Sequence, residues 1–240
     1  MSRIVTVAAS KGGVGKTTLS LDLAAVLPRA LALDLDWDSG GLTRMWGHDP
    51  TERRTARLLD SMESGNPPRP LRARRRPDLV PAHPDLASSA ISATLVADLL
   101  PKWAAEWESQ YRYVVVDTHP GANPLTDGAM AAADVVVVPV VLGARELDAL
   151  EGMLDDFEGY RMLLVPMKVP ATPPKRWVER LNAAAIKARV QVAPPLSLYP
   201  AMSKRVRRAA LSLEPNPGTW VRRAAEEYRA VGKSVEESCV

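Results

Sequence analysis

Nine consecutive residues, Ser10-Lys11-Gly12-Gly13-Val14-Gly15-Lys16-Thr17-Thr18, place three glycines, two lysines and three hydroxyl side chains between an apolar run and a helical pattern. Glycines at 12, 13 and 15 let the backbone turn tightly without Cβ clashes, so successive N–H groups can face one anion in front of a helix N-terminus. Lys16 then supplies a mobile positive charge for β- and γ-phosphates, and the Thr17 hydroxyl suits Mg²⁺, which takes oxygen ligands. Strand, glycine loop and helix in that order is the context such a loop needs, and it makes Gly12, Gly13, Val14, Gly15, Lys16, Thr17 and Thr18 candidate phosphate-binding residues.

Two carboxylate segments extend the chemistry. Asp34-Leu35-Asp36-Trp37-Asp38-Ser39-Gly40-Gly41 follows a short apolar run from residue 30, which puts it at the carboxyl end of a strand, where open α/β sheets keep their ligand chemistry. Asp117-Thr118-His119-Pro120-Gly121 follows the β-branched run Tyr113-Val114-Val115-Val116. A carboxylate directly after such a strand is the Walker B arrangement, in which Asp117 holds the Mg²⁺ shell. His119 is a lone histidine in a loop, and metal sites need three or four converging ligands, so no metal is expected on it.

The elements that must position these groups are legible as alternating patterns. Strands are expected over residues 3–9, 30–35, 78–82, 113–116, 134–141, 161–166 and 190–192. Helices are expected over 18–27, 51–62, 94–107 (Leu95, Leu99, Trp103 and Trp107 inward), 146–157, around Trp177 to Ala185, and in the tail. In the tail, Met202, Val206, Ala209 and Leu213 form one apolar stripe and Trp220, Ala224, Tyr228 and Val231 another. Lys204, Arg205, Arg207, Arg208, Arg222, Arg223 and Arg229 are left facing outward. The alternation implies a single α/β domain over residues 1–240, a mostly parallel twisted sheet with helices on both faces. Residues 51–77, rich in arginine and proline, are expected to be a surface insert, and 201–232 to be basic helices.

The phosphate loop departs from the general P-loop pattern in having Ser10 where a glycine is expected, and in the extra Lys11. Together these resemble the deviant Walker A motif, KGGVGKTT, of the ParA/MinD family of P-loop ATPases. The resemblance implies a P-loop NTPase fold, ATP and Mg²⁺ as cofactors, and slow hydrolysis of ATP to ADP and phosphate. It makes Lys11 a nucleotide-binding and catalytic residue that reaches across a homodimer interface to the partner's phosphates, beside Lys16, and makes Asp36 the carboxylate that orients the attacking water. Thr17 and, through water, Asp117 hold the metal. Similar basic C-terminal helices in ParA-type proteins bind DNA phosphates without reading sequence, which implies contacts from Lys204, Arg205, Arg207, Arg208, Arg222 and Arg223. The small ParA form, without an N-terminal helix-turn-helix domain, is expected: a plasmid or chromosome partition ATPase stimulated by a ParB-like partner. The alternatives are a nucleotide-switched scaffold or regulatory protein with little turnover, and a MinD-like ATPase positioning a protein cargo. Three residues depart from the family pattern, which usually reads DLDPQGN and DxPP: Trp37, Asp38 and His119.

Composition bounds the rest. With 240 residues the chain can bury a full core, and a net charge of +3 is accompanied by arginines gathered near 53–76 and 204–229, which suggests a polyanionic partner. The single cysteine, Cys239, excludes an internal disulfide, a thiolate metal site or a nitrogenase-type cluster within one chain. The apolar stretch 135–144 contains Pro139 and falls well short of the ~20 residues a membrane helix needs, and no signal-peptide pattern opens the chain. A cytoplasmic, nucleoid-associated protein is expected, with no membrane partner.

Overall fold

The computed structural model describes residues 1–38, 41–49, 58–205 and 209–239. Among these residues seven strands form one parallel sheet: β1 (Arg3–Val7), β2 (Ala30–Asp34), β3 (Asp78–Val80), β4 (Tyr113–Asp117), β5 (Val135–Val141), β6 (Met162–Met167) and β7 (Gln191–Val192). Their order is β3-β2-β4-β1-β5-β6-β7, so β1 sits where the winding reverses, and this topological switch point is where ligands of such sheets collect. Valine-rich strands buried on both faces are what a parallel sheet demands, because helices cover each side.

Alternate strand residues go to opposite cores. Val5, Val7, Tyr113, Val115 and Val137 face α1 (Lys16–Val26) and α8 (Thr219–Ser238), with α2 (Leu42–Trp46) at the margin. Ile4, Leu31, Leu33, Val114 and Val116 face α3 (Leu58–Ser64), α4 (Ala93–Trp107) and α5 (Pro124–Ala131). Val136, Val138 and Leu164 face α6 (Ala144–Asp156) and α7 (Lys175–Ala188). The buried stripe of α4 is rotated from the expected one: Leu95 is exposed, and Val96, Leu99, Leu100, Trp103, Ala104 and Trp107 are buried.

Two helices, α2 and α5, lie outside the sequence expectations. α5 is started by Asn123, whose Oδ1 accepts from Thr126 N–H at 3.0 Å, with Pro124 in the first turn. The supposed insert at 51–77 is in part core, since Leu58 and Met62 are 1% and 2% exposed; residues 51–57 lie outside the described ones.

The expected basic helix over 201–213 is not formed by its described residues. Pro200–Lys204 and Leu211–Leu213 are separate 3₁₀ turns, and Arg205 between them is extended. Side chains compete successfully for the backbone here. Leu211 N–H donates to Asp22 Oδ1 on α1 at 2.6 Å, and Arg205 donates to the Ala209 carbonyl at 3.2 Å and to Glu214. Val206, Arg207 and Arg208 lie outside the described residues. α8, in contrast, is continuous and amphipathic.

Two predictions follow from this packing. A Cβ on Gly128 would stand 2.4 Å from the Ala93 carbonyl oxygen and 2.6 Å from Val96 Cβ, so Gly128→Ala must push α5 off α4. A loss of about 2 kcal/mol is expected in denaturant unfolding. Burial raises Asp22 to a pKa of about 7 from 3.8. Because the folded value lies above the unfolded one, its contribution is full below pH ~4 and is lost as pH rises through ~7. Asp22→Asn keeps the acceptor for Leu211 and cannot ionise, so its stability relative to wild type should rise between pH 5 and pH 8, measured by chemical denaturation.

Candidate active site

Parallel register places the chemistry before any side chain is considered. Val7 pairs with Asp117, and Asp117 with Asp34, so β1, β2 and β4 end level. The phosphate loop leaves β1 at that edge, and Thr118 Oγ1 donates to the Val7 carbonyl at 2.9 Å to hold the β4 end against it. Gly13 (φ +76°) and Gly15 (φ +106°) are in the left-handed region that glycine alone adopts without strain, and a Cβ on Gly15 would come within 3.0 Å of Met167 Cε. Gly15 is the N-cap of α1, and no side chain among the described residues caps it, which leaves the first-turn amides for an anion.

Lys16 opens α1 and is 6% exposed. Burial lowers its pKa, opposed by Asp117, Asp36 and Asp38. Asp117 is fully buried; its Oδ1 accepts from Ser20 Oγ at 2.7 Å, and its Oδ2 has no hydrogen-bond partner among the described residues. Burial raises its pKa to about 7, against Ser20, Lys16 and Thr17, which favour the ionised form. An orphaned buried carboxylate oxygen beside a lysine and a threonine hydroxyl fits a hard cation, and Mg²⁺ keeps waters that could bridge to it.

Asp34 and Asp36 have different tasks. Asp34 is buried and accepts from Thr43 N–H at 2.7 Å, Thr43 Oγ1 at 2.6 Å and Asp36 N–H at 3.0 Å, so it braces the turn that aims Asp36. Burial raises it well above the carboxylate range, with Asp117 adding. Asp36 is 8% exposed and accepts from Asp38 N–H at 3.1 Å. Its pKa is raised by burial and held back by the Asp38 amide, His119 and Lys16. The three departures from the resembled pattern meet here: the Trp37 and His119 rings stack at 4.1 Å between centroids and 5° between planes, and His119 Nε2 is 3.4 Å from Asp38 Oδ2.

Lys11 stands at the rim, and its Nζ donates to the Arg145 carbonyl at 2.6 Å. Lys168, unassigned from sequence, donates from Nζ to the Gly13 carbonyl at 2.7 Å. It borders a largely apolar cavity of about 450 Å³ that runs from Gly15 and Thr18 past Met167, Leu196 and Tyr199 to Tyr228. Glu227 of α8 closes that side by accepting from Ser197 N–H, Ser197 Oγ and the Tyr199 hydroxyl at 2.9, 2.7 and 2.9 Å. The only sequence signal for Lys168 was its place just past β6, at the same sheet edge.

The basic candidates divide. Lys204, Arg222 and Arg223 are exposed, although Arg223 Nε lies 3.8 Å from Glu227. Arg205 is turned inward onto Glu214, with a side chain only 17% exposed, and so does not join the outward set. Arg207 and Arg208 lie outside the described residues. Arg44, Arg74, Arg75 and Arg76 line a cleft of about 460 Å³ with Ala209, Leu213, Glu214 and Pro215, so the arginines of 74–76 lie against the 209–215 segment.

A family profile described as AAA domain matches residues 2–162, a span that includes the phosphate loop and both carboxylate segments. The chain belongs to the ParA/MinD-type AAA domain family. It is 35% identical over 172 residues to the chromosome-partitioning ATPase Soj of Thermus thermophilus, covering 68% of this chain and 65% of that protein. To the chromosome partitioning protein ParA of Caulobacter vibrioides it is 32% identical over 178 residues, with 68% and 65% covered. The chain thus spans 65% of the length of these relatives. The fold is similar to that of McdA from Cyanothece. Its apo form superposes with a TM-score of 0.79 at 18% identity over 98% of this chain and all of that one. Its complex with ATP gives 0.77 at 17% over 99% and 96%.

Asp117 must be ionised to serve a metal, and burial holds it near pH 7. Binding of Mg²⁺ with ADP should therefore release about one proton more in wild type than in Asp117→Asn at pH ~5.5, a difference that falls towards zero by pH ~8.5. Calorimetry in buffers of different ionisation enthalpy reads this directly.

Proposed function

We propose that this chain is a small ParA-type partition ATPase that converts its nucleotide state into affinity for DNA. The observation that carries the reading is the meeting of Lys16, Thr17, the orphaned Asp117 oxygen and Asp36 at one sheet edge, with Lys11 at the rim. ATP lies with its phosphates over the amides of residues 12–18 and its base towards the cavity bounded by Met167, Lys168 and Tyr199. An aspartate-to-alanine variant of McdA, of the same fold, forms a complex with ATP. Thr17 and, through water, Asp117 hold Mg²⁺, which neutralises phosphate charge.

Two subunits meet face to face on ATP. Each Lys11 leaves the Arg145 carbonyl for the partner's phosphates, and Lys16 serves its own. Asp36 accepts a hydrogen bond from the attacking water and aligns it, a general-base-like role. Dimerisation joins two basic surfaces, Lys204, Arg222 and Arg223 with Arg44, Arg74 and Arg75, and so roughly doubles the phosphate contacts on non-specific DNA. Hydrolysis, stimulated by a ParB-like partner, separates the subunits and releases the DNA. Soj and ParA, its relatives, are named for chromosome partitioning, which supports DNA as the cargo.

Binding to random duplex against salt, with ADP, ATP or neither, tests the reading. ATP should tighten binding about tenfold or more, and affinity should fall steeply between ~50 and ~200 mM salt. Lys11→Ala should abolish the ATP dependence, whereas Asp36→Ala should retain dimer and DNA binding but release no phosphate. Replacing Arg222 and Arg223 by Ala removes two contacts from each subunit and should lower the salt slope of the ATP dimer by about 4. Equal binding in all three nucleotide states would overturn the proposal. ATP-driven dimerisation without phosphate release from wild type would favour a switched scaffold, and turnover without salt-sensitive DNA binding would favour an ATPase positioning a protein cargo.

A further inference from the structure

The His119 Nδ1 lies 2.9 Å from the Pro120 carbonyl oxygen, a partner that can only accept. The Trp37 stack fixes the ring plane. Nε2 is thereby aimed at Asp38, and one ligand atom each from His119, Asp36 and Asp38 lie within 4.8 Å of one another. Two carboxylates, one of them the buried Asp36, and an imidazole nitrogen thus converge on one small volume. A backbone carbonyl on the far nitrogen is also the usual support for a metal-bound imidazole. In tetrahedral geometry, bonds of ~2.0–2.1 Å separate ligand atoms by roughly 3.4 Å, close to the His119–Asp38 spacing.

We propose that Asp36, Asp38 and His119 form a site for a borderline transition-metal dication of the Zn²⁺ class, distinct from the Mg²⁺ position at Thr17 and Asp117. Imidazole with two carboxylates selects such an ion over Mg²⁺, which prefers an all-oxygen octahedral shell. Water completes the fourth position. Two carboxylates and a neutral ring also balance the ion's charge. On the reading that Asp36 aligns the attacking water, an occupied site withdraws that carboxylate and slows turnover, so the site acts as an inhibitory metal sensor. This consequence rests on the proposed function, whereas the metal binding does not.

The test is uptake of Zn²⁺ by the nucleotide-free full chain, by calorimetry and equilibrium dialysis, repeated with Co²⁺ for its visible spectrum. One ion per chain is expected. His119→Phe, which keeps a flat ring against Trp37, and Asp38→Asn should each weaken uptake about tenfold or more and remove the Co²⁺ band, while Asp117→Asn should retain both. Circular dichroism of each variant checks folding. Unchanged uptake in His119→Phe, loss confined to Asp117→Asn, or no saturable uptake at ~100 μM free Zn²⁺ would each overturn the proposal, the last leaving a protonated His119 paired with Asp38. Zn²⁺ should slow ATP turnover in wild type and not in His119→Phe. Metal uptake without any turnover in wild type would retain the site and sink the ATPase reading instead.

Discussion

The structure depends on charge buried where a sheet ends. Lys16, Asp34, Asp36 and Asp117 are all withdrawn from water at the carboxyl edge of β1, β2 and β4. Burying ionised groups is expensive unless they are paired, and only Asp34 is fully engaged by its surroundings, through Thr43 and the Asp36 amide. Asp117 keeps one oxygen unpartnered and Lys16 is pushed towards neutrality, so this edge gains most from a ligand that brings both negative charge and a cation. A nucleotide with Mg²⁺ has that composition, and this is the physical reason for reading the edge as a site.

The rest of the molecule makes that burial tolerable. Parallel strands deliver the carboxylates level with one another, and α1 and α8 cover one face while α3 to α7 cover the other. The close approach of α5 to α4 at Gly128 anchors the segment that follows Asp117. Thr126 of α5 also accepts a bond from Asn123 and donates to the His119 carbonyl, so the helix cap and the site share residues. α8 contributes Glu227 to the cavity beside the phosphate loop and presents Arg222 and Arg223 on its outer side. One helix therefore borders the cavity beside the phosphate loop and carries two exposed arginines.

The departures at 37, 38 and 119 illustrate how unrelated positions become one feature. Singly, each was a deviation of unknown consequence. In space, the Trp37 indole lies flat on the His119 ring and Asp38 faces its Nε2, which links the segment carrying Asp36 to the segment after Asp117. The stack adds a contact between two segments that the β2–β4 pairing already holds side by side.

Local pattern was enough for much of this. The glycine spacing, Lys16, Thr17 and the two carboxylates after apolar runs specify chemistry that sequence neighbours supply, and strands and long helices declare themselves by period. The Asn123-Pro124 start of α5 is an equally local signal, a cap followed by a proline, yet the sequence expectations include no helix there. What only the tertiary structure decided is which distant groups meet: the inward turn of Arg205 onto Glu214, the capture of Leu211 by Asp22 that breaks the expected basic helix, and the rotation of Leu95 out of the core. Each is a competition between a side chain and a partner far away in the chain, and periodicity carries no information about that competition.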